Sequence, residues 1–121
     1  MKYILFVAAL FFTGIAFSQN VIKLQDVSKH VGDSVTVCGN VAAAIFLEDM
    51  ENGPTFLNLG AAYPDQLLNV VIFKDQRSTY NPAPESQYAN KNICVTGKIE
   101  LANNLPQIVI YNKEQIKVTD K

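Results

Sequence analysis

Apolar and polar residues alternate with a period of two along most of this chain, and the three-and-four spacing of an amphipathic helix is almost absent. Val35, Val37 and Val41 alternate with Thr36, Cys38 and Asn40. This predicts a first strand that continues through Ala44 and Phe46, with Gly39 as a bend or bulge. A polar stretch from Glu48 closes on Gly53-Pro54, and "TFLNLGA" then reads as a second strand. A turn at "AYPDQ" leads to a third, "LLNVVIF". The segment "KDQRSTYNPAPESQYANK" has two prolines and no alternation, so it is a loop. Within it "PESQYANK" predicts about two helical turns, with Pro84 near the start and Asn90 in the left-handed cap position. "NICVTGKIEL" and "PQIVIYN" are the fourth and fifth strands, joined by Asn103-Asn104, a pair that tolerates positive φ.

An internal echo supports this order. "VSKHVGDSVTVCGNV" laid over "ESQYANKNICVTGKI" matches Val37 with Val95 and Gly39 with Gly97, and sets Gly32 opposite Asn90. Glycine and asparagine are the residue types that most readily adopt αL, so the first and fourth strands are expected to be entered in the same way.

The first residues change the picture of the compartment. Met1-Lys2 gives a positive start, Tyr3 to Phe12 is an unbroken apolar run, and Ala16-Phe17-Ser18 carries small residues at the two positions that direct cleavage. Residues 1–18 therefore read as a signal peptide, cut before Gln19. The apolar run falls short of the ~20 residues a membrane helix needs. The expected mature chain, residues 19–121, is one small domain, exported to the periplasm or beyond the cell, with no membrane span. The whole chain carries 10 basic and 11 acidic residues, and Lys2 leaves with the leader. A weakly acidic balance lacks the clustered Lys and Arg on which phosphate binding draws, so charge disfavours nucleic acid as a partner.

Five short strands with a helix between the third and fourth predict an all-β fold, a five-stranded Greek-key barrel of the oligonucleotide/oligosaccharide-binding (OB) type. The segments "HVGDSVTVCGNV", "GPTFLNLGAAYP", "LLNVVIF", "YANKNICVTGKIE" and "PQIVIYN" also resemble the small bacterial OB-fold proteins of the nucleic-acid-binding and anticodon-binding-like kind, some of which are exported. The resemblance spans His30 to about Lys117. It implies an OB fold and a module for single-stranded nucleic acid, and it contains no catalytic signature. A glycan-binding or protein-interaction module of the cell envelope is the alternative.

In such a barrel the first and fourth strands pair antiparallel, and Cys38 and Cys94 both fall on the phase opposite the core valines and isoleucines. The expectation is one cross-strand disulfide, and two free thiols in a shifted register are the alternative.

No catalytic residue, cofactor site or metal site is expected. His30 is the single histidine and sits at a helix end, where capping or packing suits it. Glu48, Asp49 and Glu51 form the one acidic cluster, which lacks the spacing of a Ca²⁺ loop and reads as a solvated turn. HExxH, P-loop and Rossmann patterns are missing. The chain is thus expected to be non-enzymatic.

The candidate binding surface is the outer face of the second and third strands. With Leu57, Leu59, Leu68, Val70 and Ile72 turned inward, Phe56, Asn58, Asn69, Val71 and Phe73 turn outward, with Tyr63, Lys74 and Arg77 at the margins. Such a face can stack bases or sugar rings. Alternatively, the segment from Gln76 to Asn90, or the N-terminal "NVIKLQDV", folds over it.

Overall fold

The computed structural model describes residues 20–119. The signal peptide expected over residues 1–18 lies outside them. The chain forms β1 (Val21–Ile22), a 3₁₀ helix (Leu24–Lys29), β2 (Ser34–Phe46), β3 (Thr55–Leu59), β4 (Leu68–Ile72), two single-turn helices α1 (Lys74–Arg77) and α2 (Pro84–Gln87), β5 (Asn92–Lys98), β6 (Glu100–Ala102), β7 (Leu105–Val109), a second 3₁₀ turn (Lys113–Gln115) and β8 (Ile116–Val118).

These strands make one eight-stranded sheet in the order β6-β7-β4-β3-β2-β5-β8, with β1 parallel to β2 off that path. The β4–β7 pair is parallel, and every other pair on the path is antiparallel. The expected five strands are therefore present as β2, β3, β4, β5 with β6, and β7. Two short strands are additional, β1 and β8, and the expected fourth strand is broken at Ile99. The backbone bonds that would have continued it turn to the residues around Gly32: Ile99 accepts from Gly32 N–H at 2.8 Å and donates to Asp33 at 3.0 Å.

The ladder path is open, but β6 at one end and β5, the neighbour of β8 at the other, are separated by one residue of sequence. Gly97 lets β5 approach β7. A Cβ at that position would stand 2.6 Å from Ile108 Cγ2, so only glycine leaves room for the isoleucine in the core. The bulge lies between Val41 and Ala43 on the β3 side of β2, and the register at Gly39 against β5 is regular. The extra residue thus bends β2 just where it passes from pairing with β5 to pairing with β3.

Inward residues of every long strand meet in one core that includes Val35, Val37, Val41, Leu57, Leu59, Leu68, Val70, Ile72, Ile93, Val95 and Ile108. The chain between β4 and β5 closes one end with Tyr80 and Tyr88, buried in an edge-to-face pair. Asn90, Asn103, Asn104 and Gly32 all have positive φ, as their types suggest. The helical stretch at Pro84 is shorter than the sequence suggests. The Tyr88 N–H bonds back to Pro84 as the cap, and Asn90 then bonds Val41 across to β2.

Cys38 and Cys94 face each other in the β2–β5 register and are joined by a disulfide. The flanking outward pairs also bond: Thr36 with Thr96 at 2.7 Å, and Asn40 Nδ2 to Asn92 Oδ1 at 3.0 Å. A cysteine in a solvent-facing position is thus explained by its partner.

Candidate functional site

Side chains of one phase on β2, β3, β4 and β7 fall into two cross-strand rows on the outer face. One row runs Ile45, Phe56, Val71, Val109, and the next runs Ala43, Asn58, Asn69, Gln107. Neighbours in a row are the closest side-chain pairs a sheet provides, so each row behaves as a unit. The loop after β4's partner strand, through Tyr63 and Gln66, and the β6–β7 turn at Asn103 rise beside these rows.

Together they enclose a groove of about 530 Å³. Its walls are Ile45, Leu47, Phe56, Tyr63, Ala102 and Leu105 on the apolar side and the amides Asn58, Gln66, Asn69, Asn103 and Gln107 on the polar side. None of these residues carries a charge. Neither the N-terminal segment nor the chain from Gln76 to Asn90 lines this groove. The first packs Leu24 against Gly39 and Gly60 instead.

The amides are organised. Asn58 Nδ2 donates to Asn69 Oδ1 at 2.6 Å and Gln66 Nε2 donates to the same oxygen at 3.2 Å, and all three residues are buried. One acceptor therefore receives both carboxamides, while Gln66 Oε1 is shielded and has no partner. Tyr63, at 79 % exposure, stands free beside them.

Four of the eight proposed ligand residues, Phe56, Asn58, Tyr63 and Asn69, meet in this groove. The other four do not. Val71 has the outward phase but is only 1 % exposed, so it serves as packing between its row neighbours. Phe73 leaves the ladder as the residue preceding α1, and with Lys74 it lines a separate concavity beside Asn52 and Tyr111. Phe56 and Phe73 therefore share no face. Arg77 turns to the closed end of the core. Its guanidinium lies 3.5 Å from the Phe46 ring centre, donates to Thr55 Oγ1 at 2.7 Å, and pairs with both carboxylate oxygens of Glu85. That bidentate bond holds the Glu85 carboxyl below its usual pKa against the opposing effect of burial. A guanidinium so engaged is a brace for the 74–88 segment.

Gln66, Gln107, Asn103, Ile45, Leu47 and Leu105 are groove residues absent from the sequence-based set. Gln107 was within reach of strand phase, since it stands opposite Asn69. Gln66 lies in a turn, where no period operates. His30 caps the first 3₁₀ helix and meets Asp33 Oδ2 at 3.1 Å. Among the described residues no three metal-ligating side chains converge, and no helix is long and apolar enough to cross a membrane.

No protein-family model matches the chain, and no curated protein does. Solved structures similar to it include the following two. One, described as an aspartyl-tRNA synthetase from Leishmania major Friedlin, superposes with a TM-score of 0.54 at 10 % identity over 94 % of this chain and 23 % of that one. The other, the S. pombe Stn1–Ten1 complex, superposes with a TM-score of 0.51 at 17 % identity over 73 % of this chain and 59 % of that one. Both likenesses concern the fold. They place this chain among all-β proteins with an OB-like arrangement. The chain spans under two thirds of the length of either structure.

Proposed function

We propose that this protein is an exported, non-enzymatic OB-fold module that binds single-stranded nucleic acid, with bases seated in the groove of Phe56 and Tyr63. The finer architecture in this reading is the five-stranded barrel, with β5 and β6 acting as one strand that returns to β7. The observation that carries the proposal is the groove's position and lining. It lies on the face of the two central strands and against the turn between the last two, the surface OB folds use for oligonucleotides, and it offers rings beside amides. A tRNA synthetase among the structural neighbours favours the same ligand class. Export is supported by the leader pattern of residues 1–18 and by the Cys38–Cys94 bond, a type that persists in oxidising compartments.

The uncharged lining defines how such a ligand is held. Bases occupy the groove and phosphates stay in water, so affinity comes from stacking and hydrogen bonds rather than from counterion release. Titration of a fluorescent single-stranded dodecamer at two salt concentrations tests this. Binding that weakens only slightly with salt supports the reading, and absence of binding at low salt overturns it. The same lining favours a second reading, a neutral oligosaccharide on the same rings and amides. Binding of a neutral glycan in place of DNA selects it.

A further inference from the structure

Among the described residues of the groove, one buried polar atom has no partner. Gln66 is 6 % exposed, its Nε2 is committed to Asn69 Oδ1 at 3.2 Å, and its Oε1 has neither a donor nor water access. A buried acceptor without a donor costs stability, and proteins keep few of them without a use. Gln66 belongs to the groove's lining, and the terminal torsion of a glutamine is soft. A ligand donor therefore meets Oε1 after a small turn of the carboxamide, made without leaving the groove.

We infer that Gln66 is a base-selecting residue: its Oε1 accepts a hydrogen bond from the exocyclic amine of a base held on Phe56, so the groove prefers cytosine to thymine. This rests on the nucleic-acid reading of the groove. The two pyrimidines stack with similar area, and they differ at one edge. Cytosine presents an N4 amine there and thymine a carbonyl oxygen, which would face Oε1 acceptor to acceptor. The Asn58–Asn69 pair gives the selection its sign. Because Asn69 Oδ1 already holds Gln66 Nε2, the carboxamide is biased to offer its oxygen and not its nitrogen.

The test compares dC12 and dT12 titrated into the mature protein at one salt concentration, together with Gln66→Met, which keeps the side chain's length and removes the acceptor. The wild type is expected to bind dC12 roughly fivefold tighter or more, since a lone acceptor left unmatched costs about that factor. Gln66→Met is expected to lose most of the preference, the ratio of dC12 to dT12 affinity falling toward one, with a cooperative thermal melt showing that it folds. Equal affinities in the wild type, or a preference unchanged in Gln66→Met, overturn the inference and leave the binding proposal standing. If neither oligonucleotide binds the wild type, both are overturned. Should Gln66→Met fail to melt cooperatively, the wild-type comparison and competition of dC12 by dT12 decide alone.

Discussion

Asn58 donates a hydrogen bond of 2.6 Å to Asn69 directly across the β3–β4 ladder, in the floor of the groove. Two buried amides in the centre of a sheet are tolerable because each meets a partner, and Gln66 adds a second donor to the same oxygen. Asn69→Ala leaves both donors without their acceptor. The expected loss of stability is about 1–3 kcal/mol, read from chemical denaturation. A change within about 0.5 kcal/mol would mean that water replaces the network freely.

Gly97 fixes the approach of β5 to β7. Adding a methyl group sets it against Ile108 Cγ2, a branched atom with little freedom to retreat. Gly97→Ala is therefore expected to lower the unfolding free energy by about 1–3 kcal/mol, read from chemical denaturation. A neutral Gly97→Ala would show that the strands part at no cost.

The disulfide closes a loop with a sequence separation of 56. Thiol titration of the denatured mature protein is expected to find no free thiol. Replacing both cysteines by serine should cost on the order of 4 kcal/mol through the freed unfolded chain. Two reactive thiols, or a melt unmoved by the double replacement, would contradict this.

Tyr80 provides a pH signature. Its burial, reinforced by the neighbouring Tyr88, pushes its phenol up to about 12. Tyr80 is neutral in the fold when the unfolded chain, with a phenol near 10, has begun to ionise. Its stabilisation is thus complete below pH ~10 and is lost as pH rises toward about 12. Denaturation midpoints followed from pH 9 to 12 should fall, and Tyr80→Phe should flatten that fall. An unaltered slope in Tyr80→Phe would assign the alkaline loss to other groups.

Period-two alternation carried the fold well because each long strand has one buried face. Val35 to Val41 and Ile93 to Val95 announce their inward phase, and the cysteine pair follows from the same phase. The short strands β1 and β8 were hidden, since two or three residues hold no period. α1 and α2 were only partly legible because each is a single turn whose ends are set by tertiary contacts, such as Asn90 with Val41. At the site, phase correctly placed Phe56, Asn58 and Asn69 on one face. Phase describes direction and says nothing about cover, so it could not reveal that Val71 is buried in its row. Phe73 was assigned to the strand by pattern, but the ladder ends at Ile72 and the chain turns away. Arg77 was drawn from the surface to Phe46, Thr55 and Glu85, partners distant in sequence. Gln66, which supplies the groove's orphan acceptor, sits in a turn where only the folded chain brings it to Asn69.

The central claim is that rings bind on the outer face at Phe56, and one paired measurement tests it most directly. A fluorescent single-stranded dodecamer is titrated into the wild type and Phe56→Ala, and both proteins are melted in the same buffer. Phe56 is half-buried and lines the groove, so Phe56→Ala is expected to weaken binding by about 1–3 kcal/mol, roughly fivefold to a hundredfold, while the melt falls by only a few degrees. Unchanged affinity, or a collapse of stability without any measurable binding in the wild type, would contradict the account and make the ring part of the packing.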